Sequence, residues 1–408
     1  MSKLNRIFST VFALLLMLFA ASCAYPNDIE EEESPKEFGT YQSDTFGDSF
    51  GSAETTKKDC ATDGHTFVDW TVEKYADEEA EGSKYAYCSV CGVMTRQGFK
   101  CSKGLEYRSN GDGTCSVIGI GTCKDTDVVI PTTYNGEAVT AIGSSAFSSK
   151  ETLNSVIMPQ GMTEIGSHAF AWSSKLQYVV IPESVTKIDA GTFWYCYDMT
   201  FLRLPSQISF IGDGALNCAG FESIDDFVLS PANPYYHVSG NCIIETESKK
   251  LMVGFGDCVI PNDGSVTSIA GNAFAGCDSL TSLVIPSNVK SIGGSAFYCC
   301  GNLTSITFSE GLESIGYNAF NACHSLKSIT IPNSLTVIGS AAFTWCSGIG
   351  SVVIGSGVTD IYSDAFNQCT SLKDIHYVGT KDAWDRINKE DGWASNAGAF
   401  TVHYNYSN

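Results

Sequence analysis

The chain has 408 residues, of which 43% are hydrophobic and 17% charged, so most of it can fold around a core and wholesale disorder is excluded. Twenty-four Lys and Arg against 45 Asp and Glu give a net charge of −21. Such a balance excludes a nucleic-acid binder, which needs clustered cations, and disfavours passive docking on anionic lipid.

The first element is an export signal. Lys3 and Arg6 precede an uncharged apolar run over residues 8–21, short of the about 20 apolar residues of a membrane span. Ala20, Ala21 and Ser22 then lead into Cys23. The segment resembles a bacterial lipoprotein signal, although Ala20 stands where that family favours Leu. The resemblance implies removal of residues 1–22 and acylation of Cys23, with the lipid as the only membrane anchor. An ordinary secretory signal is the alternative, and both place the protein outside the cytoplasm. Residues 23–59 follow, with ten acids and three bases among Ser, Thr and Gly. They read as an acidic disordered tether.

Residues 60–100 read as a small separate Cys/His module. Cys60 and His65 are followed by Trp70 and then by Cys88-Ser-Val-Cys91-Gly92. A C-x-x-C with a turn Gly behind it presents two thiolates to one metal, and Cys60 with His65 supplies two more ligands. About forty residues make a thin core, so one structural zinc would be a useful staple. A disulfide, or thiols without a metal, are the alternatives.

From residue 124 onward the sequence repeats itself. Phe147, Phe170 and Phe193 are 23 apart, Leu216 continues the series, and Phe274, Phe297, Phe320, Phe343 and Phe366 are again 23 apart. The text between them is nearly constant: SLTSLVIPSNVKSIGGSAF, NLTSITFSEGLESIGYNAF, SLKSITIPNSLTVIGSAAF. A fixed period of this length is the signature of a solenoid. In one unit, Leu283 and Ile285 alternate inward on a short strand that Pro286 ends. Val289, Ile292, Ala296 and Phe297 then have roughly helical spacing, which predicts a short helical or irregular closing turn. Stacked units would bury a ladder of Phe, Ile and Leu behind a parallel sheet, at about 4.8 Å per coil.

Residues 280–300 and 326–346 resemble the BspA-type leucine-rich repeat of bacterial and protozoan surface proteins. The resemblance covers about residues 105–405. It implies an α/β repeat solenoid, a leucine-rich-repeat-like right-handed stack of 23-residue coils with a parallel β-sheet face. An N-terminal cap falls at residues 101–140, repeats at 141–374 and a C-terminal cap at 375–408. Leu216 and Phe274 are two periods plus twelve apart, so an insertion near residues 230–257 is expected, with a β-hairpin protruding from the stack.

Cys196, Cys277, Cys300, Cys323, Cys346 and Cys369 each lie three residues after the Phe position. Parallel side chains in adjacent coils leave Cβ atoms too far apart for a relaxed disulfide, so the column reads as small buried thiols. The sequence holds no HExxH, Walker, GxSxG or EF-hand motif, and its six His are scattered, so no enzyme is expected.

What remains is surface. Residues beside the inward pair of each strand point outward. In the C-terminal half these are Ser and Thr. In the N-terminal half they are Ile157, Tyr178, Val180, Phe201 and Arg203, with Tyr235 and Tyr236 of the insertion placed nearby. Tyr, Phe and Arg together are the composition of a protein-binding hot spot. Trp172 and Tyr195, two residues after the Phe position in successive coils, form an aromatic edge suited to sugar rings. The leading expectation, which the resemblance to surface adhesins implies, is a non-catalytic cell-surface protein that binds an extracellular protein. The alternatives are a glycan-binding lipoprotein using the Trp172/Tyr195 edge, and a secreted hydrolase, which would need a pocket of coupled acids.

Overall fold

The computed structural model describes residues 69–77, 80–88, 93–217, 221 and 224–407. The chain divides into two compact units, residues 1–67 with 87–95, and residues 68–86 with 96–408. In the first unit, Cys88 is buried and its N–H donates to the Val93 carbonyl at 2.8 Å. Cys23, the tether, Cys60, His65 and Cys91 lie outside the described residues.

The second unit is built mainly from stacked coils. In the strands Ser282–Ile285, Ser305–Phe308 and Ser328–Ile331, outward and inward residues alternate, with Leu283, Ile285, Ile306, Ile329 and Ile331 buried. Each strand pairs in parallel with the same residues of a neighbouring coil, Ser282 opposite Ser305 and Ser328 opposite Ser351. A second parallel ladder, built of strands mostly two residues long, runs along another side of the coils. It places Ile142, Ile165, Ile188 and Ile211 in one column and Ile269, Ile292, Ile315, Ile338 and Ile361 in another. Between the ladders the phenylalanines stack, with centroids 4.8 Å apart for Phe297 on Phe320 and 5.5 Å for Phe147 on Phe170. Leu216 fills the same position and is buried.

The closing segment takes the irregular form of the expectation rather than the helical one. Alternate N–H groups bond from coil to coil, Phe297 to the Ala319 carbonyl at 2.7 Å and Phe320 to that of Ala342 at 2.7 Å, and those between close i to i−3 turns, as Tyr298 does on Ser295 at 3.0 Å. A donor committed to the next coil cannot also close an i to i−4 helical bond. Among the described residues the one α-helix is Lys381–Arg386 in the C-terminal cap, capped by the Thr380 hydroxyl accepting from the Ala383 N–H.

Both ends of the ladders are finished. The hairpin Glu106–Ser109/Thr114–Gly119 starts the short-strand ladder by pairing in parallel with Glu137–Ile142. Asn388–Lys389 and Thr401–His403 cover the last rungs. The insertion differs from the expectation. Cys242–Glu245 and Lys250–Gly254 do form a hairpin, joined by Tyr236–Ser239, but it does not protrude. Its second strand pairs in parallel with Ser268–Ile269, and Ile243, Ile244, Leu251 and Met252 are buried. The apolar residues on both of its faces have to be covered, and the stack covers them.

The cysteine column holds thiols. The Sγ–H groups of Cys196, Cys300, Cys323, Cys346 and Cys369 donate at 3.0–3.2 Å to the Phe carbonyl 26 residues earlier. Each thiol thereby adds a second donor to a carbonyl that already accepts a backbone N–H in its own coil, a contact Val or Leu could not make. Cys277, first in its run, lies 3.5 Å from the Ser279 hydroxyl instead. One disulfide is present among the described residues, Cys242–Cys258, tying the insertion to the next coil.

Candidate binding surfaces

Three surfaces were legible as candidates, and the structure treats each differently. The first is the N-terminal half of the outer sheet face. Alternation aims Ile157, Tyr178 and Val180 outward, yet Ile157 is 3% and Val180 9% exposed, and Ser155 is buried as well. The chain itself covers them. The antiparallel pair Thr71–Lys74/Gly82–Tyr87 carries Lys84, whose Nζ donates to the Tyr178 hydroxyl at 2.5 Å and sits 4.3 Å from the centre of the Trp70 ring. Trp70 stacks on Tyr178 at 6.2 Å. The Arg203 guanidinium donates to both oxygens of the Asp69 carboxylate, which raises its pKa. Phe201 is half-buried on the same side. The predicted hot spot is therefore an internal docking site, and its composition of Tyr, Ile, Val and Arg reflects that contact.

Tyr236 is corrected in the same way. It is 1% exposed, its hydroxyl accepts from the Ile211 N–H at 2.8 Å, and burial pushes its pKa up to about 12. It bridges the insertion to the short-strand ladder. Tyr235, next to it, is exposed.

The second surface is the C-terminal half of the outer face. Here the alternation holds. Ser282, Ser305, Thr307, Ser328 and Thr330 are exposed, as is Val284 at 58%, while their neighbours are buried. These exposed side chains carry no charge, and Ser282, Val284, Ser305 and Thr307 line a shallow depression beside Asp257–Ile260. Carboxylates on the described residues of the solenoid serve turns and coil contacts: hydrogen-bond donors on Ser265 and Asn388 hold Asp263 and Asp360 below the usual carboxylate range. Among the described residues no group of three or more His, Cys, Asp or Glu could hold a metal ion.

The third surface is the aromatic edge. Trp172 and Tyr195 stack at 4.1 Å, Trp194 stacks on Tyr195 at 5.1 Å, and Tyr197 meets Tyr195 edge-on at 5.5 Å. The indole N–H of Trp194 is buried without an acceptor.

The sequence profile described as "BspA type Leucine rich repeat region" matches residues 122–230 and 255–380, in six copies. The chain belongs to that family. No protein of curated function matches it in sequence. Among solved structures, the pneumococcal vaccine antigen PcpA is similar over 82% of this chain and 98% of its own, at 16% identity and a TM-score of 0.56, which supports the fold. A leucine rich cell surface protein from Faecalibacterium prausnitzii is 24% identical over 71% of this chain and 97% of its own, with a TM-score of 0.44. A leucine-rich repeat protein from Eubacterium ventriosum is 18% identical over 75% of this chain and 96% of its own, with a TM-score of 0.49.

The BspA-type coil also explains where the aromatic edge sits. The residue two after the Phe position has left-handed backbone in coil after coil, at Ser149, Trp172, Tyr195, Gly276, Cys299, Ala322, Trp345 and Gln368. Any residue with a Cβ costs roughly 1–2 kcal/mol there, whatever its size. The repeat period marked this position; its backbone conformation could not be read from composition.

Proposed function

We propose that this BspA-type chain is a non-catalytic cell-surface binding protein. It is exported and held by a lipid on Cys23, and it carries an extracellular protein ligand on the open C-terminal half of its outer sheet face. The observation that supports this most is the uncovered alternation over Ser282–Ile285, Ser305–Phe308 and Ser328–Ile331, a rigid floor that orders few side chains on binding. The export signal and the resemblance to surface adhesins point the same way. Turn-bound carboxylates such as Asp263 and Asp360, in place of a converging acid pair, favour binding over hydrolysis.

Purified extracellular-matrix proteins arrayed against the full chain test this. At least one should bind, and Ser305→Arg with Ser328→Arg should weaken that binding at least tenfold. Binding that ignores both substitutions, or an array with no partner, would remove the proposal. Palmitate labelling lost in Cys23→Ser would support the anchor. Cys60, His65, Cys88 and Cys91 are proposed to hold one structural zinc, so the full chain should carry one equivalent that Cys88→Ser removes. A metal-free full chain would return the module to a disulfide or to bare thiols.

A further inference from the structure

We propose that the Trp172–Tyr195 edge is a carbohydrate-binding site for neutral pyranose glycans, separate from the outer sheet face. The argument starts from the backbone. Position two after the Phe is left-handed in eight described coils, with φ of 59° at Ser149, 68° at Gly276 and 63° at Ala322. Glycine adopts that conformation without penalty, and every other residue bears the strain of its Cβ. Trp172 at 67° and Tyr195 at 61° place large rings at this disfavoured point in two successive coils. Five of the other six coils close without a ring there, around Ser149, Gly276, Cys299, Ala322 and Gln368, and the sixth carries Trp345 with no ring at the same position in the coils beside it. What sets Trp172 and Tyr195 apart is that their rings adjoin in successive coils, which no other described pair at this position does.

The rings make one assembly. The Trp172 N–H donates to the Trp194 carbonyl at 2.7 Å, which fixes the spacing of the two coils at this edge. Trp172, Tyr195 and Trp194 pack face to face or tilted within 6.1 Å of one another, and the Tyr197 ring, 46% exposed, extends the cluster outward. Lys175 and Asp198 lie on the same two coils, three residues beyond Trp172 and one beyond Tyr197, and form an ion pair at 3.2 Å. Aromatic surface with a paired ammonium and carboxylate on the same two coils suits a sugar ring: C–H groups would meet the aromatic surface, and hydroxyls donor and acceptor. The pair cancels its own charge and the chain carries −21, so the site favours neutral glycans over uronates or sulfated chains.

The test is electrophoresis of the full chain through gels containing neutral β-glucan, neutral mannan or polygalacturonate. At least one neutral polymer should retard the protein, and polygalacturonate should not. Trp172→Gly and Tyr195→Gly should each weaken retardation at least tenfold with the fold kept by circular dichroism. Trp345→Gly, at the equivalent position three or more coils away, should change nothing. Should a glycine variant lose its fold, Tyr197→Ala decides: lost retardation with an intact melt supports the site, unchanged retardation overturns it. Absence of retardation in every neutral gel, retardation by polygalacturonate alone, or glycine variants that bind like the parent would also overturn it. Capture of matrix proteins on the outer face is a separate assay, so either proposal can fail alone.

Discussion

The two halves of the solenoid share an interior and differ outside. In both, phenylalanines stack, isoleucines align in the short-strand ladder and thiols close onto Phe carbonyls. On the outer face, equivalent rungs part company: Ser155, Ile157 and Val180 are buried on the side where Lys84 and Trp70 meet Tyr178, while Ser282, Val284, Ser305 and Thr307 are open. Burial dictates the inward residues so strictly that they vary only among apolar types, Leu283, Ile306, Ile329 and Val352 at one position, while the Phe column changes once, at Leu216. The outward residues are free of that demand, and each half uses them differently, one to dock the chain's own segment and one to leave a neutral platform.

High pH separates the halves most strongly. Burial raises the thiol pKa of Cys196, Cys277 and Cys369 to about 12, and those of Cys300 and Cys323 well above the usual value. An unfolded thiol titrates near 8.5, so above that pH the unfolded chain binds fewer protons than the folded one. The stability contributed is fully present below about pH 8.5 and is lost as pH rises toward 12, on the order of 1 kcal/mol per pH unit for each thiol. One of these groups lies in the N-terminal half and four in the C-terminal half. Limited proteolysis between pH 9 and 11 should therefore cut first within residues 274–369. First cuts in residues 141–211 would mean that the thiol column does not govern alkaline stability.

Releasing the cover is the next effect in size. Tyr178→Ala removes the acceptor of Lys84 and a ring that stacks on Trp70. A desolvated cation over an aromatic face contributes about 2 kcal/mol, so unfolding should become easier by about that amount. Protease sites within residues 69–86 should open while residues 104–407 stay resistant. If the segment remains protected, the apolar contact with Ile157 and Val180 holds it without Lys84.

Much of this was legible in the sequence, for reasons that differ by residue. Phe320, Ile315 and Cys323 announce the coil because a buried, repeated position tolerates few replacements. The short-strand ladder was missed because two residues, such as Ser314–Ile315, are too few to show alternation. The spacing of Val289, Ile292, Ala296 and Phe297 imitates a helix because both a helix and a tight corner return every third or fourth side chain inward. Cys258 stands where Leu283 stands one coil later, and its pairing with Cys242 had no signal beyond that exchange. The cover over Tyr178 was illegible in principle: alternation gives the direction of a side chain and says nothing of what lies beyond it.

The smallest expected effect is the sharpest test of the comparison. Ser155 and Ser305 are equivalent rungs, the first residues of Ser155–Ile157 and Ser305–Phe308. Ser155 is buried and its hydroxyl donates to the Asp127 carboxylate at 2.6 Å, whereas Ser305 is exposed. Ser305→Arg should change unfolding free energy by no more than about 0.5 kcal/mol, as a surface substitution does. Ser155→Arg should cost several times as much, because the guanidinium must enter a covered site or displace the segment above it. Deleting residues 1–100 ought to bring Ser155→Arg down to the cost of Ser305→Arg, since the interior beneath both rungs is the same. If the truncated chain, still folded by circular dichroism, keeps the full Ser155→Arg penalty, the outer face of the N-terminal half is buried by the solenoid itself, and the contrast between the halves does not come from the docked segment.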